Sequence, residues 1–104
     1  MSRSAVGSAL LADARSGRTY VLGLQPTTLG RELGIQDPYV SRRHARIHAE
    51  GGDFWLEDLA SANGSYLNQR PVTASTRLAE GDVITLGHTS LRFQRQLMLE
   101  AAHV

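Results

Sequence analysis

Val40-Ser41-Arg42-Arg43-His44-Ala45-Arg46-Ile47 is the stretch on which the reading of this chain turns. A serine and two arginines stand directly before an alternation that puts Ala45, Ile47 and Ala49 on one face and Arg46 and His48 on the other. That is the period of a half-buried strand. Upstream, Thr27-Thr28-Leu29 is a β-branched run ending in Gly30-Arg31, where the glycine lets the backbone bend or be approached closely. Downstream, Ser61-Ala62-Asn63-Gly64 is a turn signal ahead of the strand-like Ser65-Tyr66-Leu67-Asn68. Each piece sets polar groups at a strand end or in a loop, where a β-scaffold displays binding residues.

The same punctuation continues outward. Ser8 to Ala14 and Thr19 to Leu24 read as a hairpin turning at Ser16-Gly17, and Gln25-Pro26 breaks the second run. Glu32 to Tyr39, with Gly34 and Asp37-Pro38, reads as a loop that tucks Ile35 inward. Gly51-Gly52 turns the chain into Phe54-Trp55-Leu56, with Phe54 and Leu56 facing the core and Trp55 covering the sandwich from outside. A connection through Pro71 leads to the turn Glu80-Gly81-Asp82 and a strand Val83 to Leu86. A second turn, Gly87-His88-Thr89, precedes a strand Ser90 to Arg95. Ile84, Leu86, Leu91 and Phe93 are the inward residues of this last pair. The expectation is an all-β, two-sheet sandwich of about ten or eleven mostly antiparallel strands, with binding loops at one end. It would span residues 8–95, between a flexible N-terminus 1–7 and a tail 96–104.

Composition bounds the function classes. At 104 residues and 41% hydrophobic content the chain can hold one core. A formal net charge of +1 gives no domain-wide field for nucleic acid, although Arg42, Arg43 and Arg46 form a local basic cluster. All 11 basic residues are arginine, a bias associated with GC-rich bacterial genomes. With no cysteine, neither a disulfide framework nor a thiolate metal site can form, and a reducing cytoplasm is the expected compartment. No N-terminal apolar run has signal-peptide or transmembrane length, so no membrane partner is expected. His48, His88 and His103 are scattered without metal-ligand spacing, so no metal or other cofactor is expected.

Taken together, Gly30-Arg31, Ser41-x-x-His44 and Asn63-Gly64, in this order and at these separations, resemble the forkhead-associated (FHA) domain, from about Leu10 to Phe93. The resemblance implies a module that recognises an extended phosphothreonine segment of a partner protein marked by a Ser/Thr kinase. Arg31, Ser41 and Arg42 would be its phosphate ligands, Asn63 the residue that holds the peptide backbone, and Gly30, His44 and Gly64 the structural braces of the loops. Ser61 and Ala62 are candidate peptide contacts, although relatives often carry a hydroxyl where Ala62 stands. Relatives also often have glycine where Gln69 follows Asn68, which puts that turn's geometry in question.

The residue types suit the chemistry. A phosphomonoester carries about −1.5 to −2 charge and three acceptor oxygens, so it needs cationic and hydroxyl donors arriving from different directions. Arginine supplies a planar fork, serine a short hydroxyl donor, and asparagine the donor and acceptor that match a peptide's C=O and N–H. Ser41 and His44, with Asp37 or Asp58, invite a catalytic reading, but spacing alone makes no triad, so no enzyme and no catalytic residue is expected. The alternative is a phosphate-independent interaction or assembly module on the same scaffold. A monomer is expected in either case.

Overall fold

The computed structural model describes residues 8–96. The expected loose N-terminus 1–7 lies outside the described residues, as does the expected tail except for Gln96, which ends the last strand.

Among the described residues, ten strands form two sheets in which every paired neighbour is antiparallel. They are β1 (Ser8–Ala12), β2 (Thr19–Leu22), β3 (Thr27–Leu29), β4 (Ala45–Glu50), β5 (Asp53–Asp58), β6 (Ser65–Leu67), β7 (Arg70–Pro71), β8 (Thr76–Arg77), β9 (Val83–Leu86) and β10 (Thr89–Gln96). A six-stranded sheet has the order β2-β1-β10-β9-β6-β7, and a four-stranded sheet the order β3-β4-β5-β8. The sandwich expected from the sequence is therefore present. Three details differ: Arg31–Leu33 form one turn of 3-10 helix, the connection through Pro71 contains the two short strands β7 and β8, and Thr89 opens β10.

Alternation fixes the core. Ile47 pairs with Leu56 and Ala49 with Phe54 across β4 and β5, so one face of the four-stranded sheet is apolar. Leu11 pairs with Phe93 and Leu91 with Ile84 on the facing sheet. Phe54 and Phe93 meet edge to face between the sheets, ring centroids 5.7 Å apart. Trp55 lies on the outer face, between His48 and Arg77 on the adjacent strands, and covers the sheet as expected.

The Asn68-Gln69 turn keeps a left-handed pair, with φ of 51° and 71°. This is the twist that a tight β6–β7 connection requires. Asn68 tolerates it and anchors the turn, its Nδ2 donating to Asp82 Oδ1 at 3.0 Å and its Oδ1 accepting from Val83 N–H at 2.9 Å. Gln69 bears the steric cost of a Cβ at positive φ, about 1–2 kcal/mol, part of which glycine would return as unfolded-state entropy. Gln69→Gly should therefore stabilise the fold by about 0.5–1 kcal/mol, read as a higher urea midpoint at unchanged slope. A lower midpoint would mean that the turn is not strained.

Candidate functional site

The loops after β3, before β4 and between β5 and β6 meet at one end of the sandwich, and backbone contact decides how. Gly30 is buried, and a Cβ built there would lie 2.1 Å from the Arg42 carbonyl oxygen. Only a residue without a side chain lets the two segments close. Once closed, Arg31 N–H donates to the Ser41 carbonyl at 3.2 Å and Glu32 N–H to the Arg42 carbonyl at 3.4 Å. Arg31 and the Ser41-Arg42 pair thus stand side by side although the chain between them makes a long loop.

His44 does the corresponding work for the third loop. Its ring is fully buried, with 0% exposure. Nδ1 accepts from the Ser41 N–H at 3.0 Å, and Nε2 donates to the Gly64 carbonyl at 2.7 Å. Since an amide N–H can only donate and a carbonyl can only accept, the pair of bonds fixes one tautomer. Gly64 has φ 82°, a left-handed conformation that favours glycine there. Both ring nitrogens serve backbone groups, and the Ser41 hydroxyl instead accepts from Ala62 N–H at 3.3 Å. Ser41 and His44 are close, but not as a nucleophile and its base.

Two carboxylates that the sequence offered only as partners for a catalytic serine turn out to organise the apex. Asp58, at the end of β5, accepts from the Ser61 and Ser65 hydroxyls at 2.6 Å each and from Ser61 N–H at 3.0 Å. The Ser61 hydroxyl oxygen in turn accepts from Gly64 N–H at 2.9 Å. Asp37, 7% exposed, accepts from Tyr39 N–H, His88 N–H and the Thr89 hydroxyl, each at 2.8 Å. Burial alone would raise both carboxyls. The hydrogen bonds, with smaller contributions from His44 for Asp58 and His88 for Asp37, outweigh it and hold both below the ordinary carboxylate range. For Asp58 the signal available in the sequence was a hydroxyl a few residues on, at Ser61, which marks a loop anchor as readily as a turn; the hydroxyl partner of Asp37, Thr89, is remote in sequence and gave none.

At the surface of this frame, Arg31, Arg42 and Arg43 are exposed and Ser41 half-buried. Among the described residues neither Arg31 nor Arg42 forms a salt bridge, whereas Arg46 is paired with Glu57 and so leaves the basic cluster read from the sequence. Asn63 is exposed, and its Nδ2 donates to the Tyr39 carbonyl at 2.8 Å. Arg31, Ser41, Arg42 and Asn63 are therefore gathered on one open surface. Beside it, across Tyr39, a cavity of about 540 Å³ is walled by Arg15, Arg18, Tyr20, Asp37, Tyr39 and His88. The Tyr39 and His88 rings pack there with centroids 4.5 Å apart.

Comparison with known proteins places this geometry. The family profile of the FHA domain matches residues 27–87. Glycogen accumulation regulator GarA of Mycolicibacterium smegmatis is 39% identical over 94 residues, which cover 84% of this chain and 59% of GarA. The chain thus spans little more than half the length of that relative. A domain solved in a structural and functional study of phosphothreonine-dependent FHA domain interactions superposes with a TM-score of 0.79 at 38% identity, covering 88% of this chain and 99% of that one. EmbR of Mycobacterium tuberculosis, solved with a low-affinity phosphopeptide, gives 0.80 at 30% identity over 88% of this chain and 25% of its own.

Gly30→Ala should cost about 1–3 kcal/mol or more, because the colliding atom is backbone rather than the free end of a side chain. It should also raise amide exchange at Arg31 and Glu32, and an unaltered exchange pattern would contradict the close approach. Asp58→Asn addresses the carboxylate frame. A carboxyl whose folded pKa lies below its unfolded value, about 4, contributes stability above that value and loses it as pH falls through the folded pKa. The variant should therefore lose about 1.5–3 kcal/mol at pH 7, with the gap to the parent narrowing below about pH 4. A gap that stays constant through acid would dismiss the ionised carboxylate as its source.

Proposed function

The chain belongs to the forkhead-associated (FHA) domain family, and we propose that it is a phosphothreonine-dependent, non-enzymatic binding module that holds an extended phosphopeptide of a partner protein at its apical loops. The observation that carries this reading is the corner where Arg31 and Ser41 are tied to each other by backbone while the Arg31 and Arg42 guanidiniums have no internal anion among the described residues. An unpaired pair of arginines on a rigid frame suits an incoming dianion.

Roles then divide by chemistry. Arg31 presents its fork to the phosphate, and Arg42 adds a second charge. Because Ala62 N–H occupies a lone pair of Ser41 Oγ, the hydroxyl proton is left to donate to a phosphate oxygen. Asn63 is oriented through Tyr39, which leaves its Oδ1 and second N–H for a peptide N–H and C=O. Gly30, His44 and Gly64 act behind these groups as positioning residues. Ser61 joins them, since its hydroxyl is committed to Asp58 and Gly64, while Ala62 contributes backbone and a methyl group. The cavity beyond Tyr39, walled by Arg15 and Arg18 but also by Asp13 and Asp37, would take a side chain flanking the phosphothreonine. A cytoplasmic setting suits a ligand made by a Ser/Thr kinase, and no helix among the described residues is long and apolar enough to cross a membrane.

Calorimetric titration with a phosphothreonine peptide library, its unphosphorylated twin and a phosphoserine version tests the proposal. The phosphothreonine form should bind, the unphosphorylated form should not, and phosphoserine should be weaker by roughly 10–200-fold for want of one buried methyl. Affinity should fall between about pH 7.5 and 5.5 as the phosphate, with a second pKa of about 6, takes up a proton. Arg31→Ala should lose at least the charge-assisted contact, about 1.5–3 kcal/mol, at an unchanged melting temperature. Equal binding of phosphorylated and plain peptides, or full affinity in Arg31→Ala, would sink the proposal.

A further inference from the structure

Two sheets have four edges, and among the described residues three of them are blunted. β7 and β8 are each two residues long, and β7 carries Pro71; β3 is three residues long and follows Pro26. β2 is different. Thr19-Tyr20-Val21-Leu22 carries neither a proline nor a charge, and Gly23 follows it before the chain bends at Leu24. Among the described residues, Val21 at 74% and Leu24 at 70% are the most exposed of the large apolar side chains. Edge strands are ordinarily guarded by the features that this one lacks.

The register of the β1–β2 hairpin says which backbone groups the edge offers. Asp13 N–H donates to the Arg18 carbonyl at 2.9 Å, so that pair is a hydrogen-bonded rung. Antiparallel rungs alternate, which makes Leu11–Tyr20 and Ala9–Leu22 bonded and Ala12–Thr19 and Leu10–Val21 unbonded. Thr19 and Val21, and Gly23 in continuation, therefore turn their N–H and C=O groups away from β1 toward the open side.

We infer that β2 pairs antiparallel with β2 of a second copy of this chain, Val21 opposite Val21, to give a two-fold symmetric dimer with one continuous sheet. Val21 then exchanges both backbone bonds with its counterpart, and Thr19 does so with Gly23 on either side. On the outer face Leu10 lies directly across from Val21 within each copy, so the seam becomes an unbroken row of Leu10, Val21, Val21 and Leu10. This register brings no like charges opposite each other, because the strand has none, and so a second copy fits where a charged partner segment gains nothing. The dimer replaces the monomer expected from the sequence. Its two apices point in opposite directions, because the paired strands run antiparallel and each apex lies at the Arg18 end of β2. The phosphate corners of both copies stay open.

Sedimentation of the 104-residue chain over about a hundredfold range of concentration tests this directly. A monomer–dimer equilibrium is expected, with the amides of Thr19, Val21 and Gly23 gaining exchange protection as the dimer forms. Val21→Lys should shift the equilibrium at least about tenfold toward monomer, whereas Ser90→Lys, on the same face away from the edge, should leave it unmoved. The chain has no cysteine, so Val21→Cys supplies a single thiol. Opposed residues of a bonded rung sit about 5.5 Å apart at Cα, within disulfide reach, and mild oxidation should link Val21→Cys chains but not Ser90→Cys chains. A monomer at every concentration would overturn the inference, as would a dimer indifferent to Val21→Lys. Phosphopeptide titration of Val21→Lys should match the parent, which separates failure of the dimer from failure of the binding corner.

Discussion

The apex depends on one buried imidazole. With its ring fully enclosed, His44 must satisfy both nitrogens inside the protein, and it does so with the N–H before β4 and the carbonyl before β6. Those strands belong to different sheets. A single side chain thereby ties the two layers together at the end where apolar packing gives out. Below it, leucine, isoleucine and phenylalanine hold the sheets by area alone, each buried side chain contributing about 1.5–3 kcal/mol without prescribing a loop conformation. Above it, direction is needed, and only hydrogen bonds supply that.

Asp58 and Asp37 extend the same device. Asp58 links the end of β5 to Ser65 of β6, and Asp37 links the long loop after β3 to the turn between β9 and β10. Every one of these struts runs from the four-stranded sheet or its loop to the six-stranded sheet. A polar network of this kind is stabilising only when each member is satisfied, and these carboxylates receive several donors apiece. Ala60, at φ 54°, shows the loop accepting backbone strain within that frame. Pre-set loops mean that the entropy of ordering the binding residues is met during folding rather than at ligand capture.

How much of this could be read from the sequence follows from which residues act locally. Strand alternation at Ala45 to Ala49 and the glycine-bearing turns are local signals, so the sandwich and most strand positions were legible. The gathering of Arg31, Ser41 and Asn63 became legible only through the family resemblance, since nothing in the separation of Arg31 from Ser41 reveals that Gly30 lets Arg42 approach it. Asp37 and Asp58 were noticed for the wrong reason, as partners for a catalytic serine, because a buried strut and a turn residue look alike before the fold is known. Edge status is still less accessible. Whether Thr19 to Leu22 sits inside a sheet or at its border depends on strand order, and the chain neighbours of β2 say nothing about it.

Charge is layered at the apex, and the layering separates two responses to acid. Carboxylates lie inward, where N–H and O–H donors absorb their field, while the arginines stand outward with theirs unspent. Negative charge directly beneath an anion site would weaken it if left bare, and the hydrogen-bond donors around Asp58 and Asp37 prevent that. Because those donors also hold both carboxyls below their ordinary range, the frame stays ionised well into acid. A free phosphomonoester takes up its second proton near about 6, and one held against Arg31 and Arg42 would do so lower still. On the proposed function, the free ligand would lose its second charge while the loops that receive it keep their shape, so acid would release a phosphopeptide without first unmaking its site.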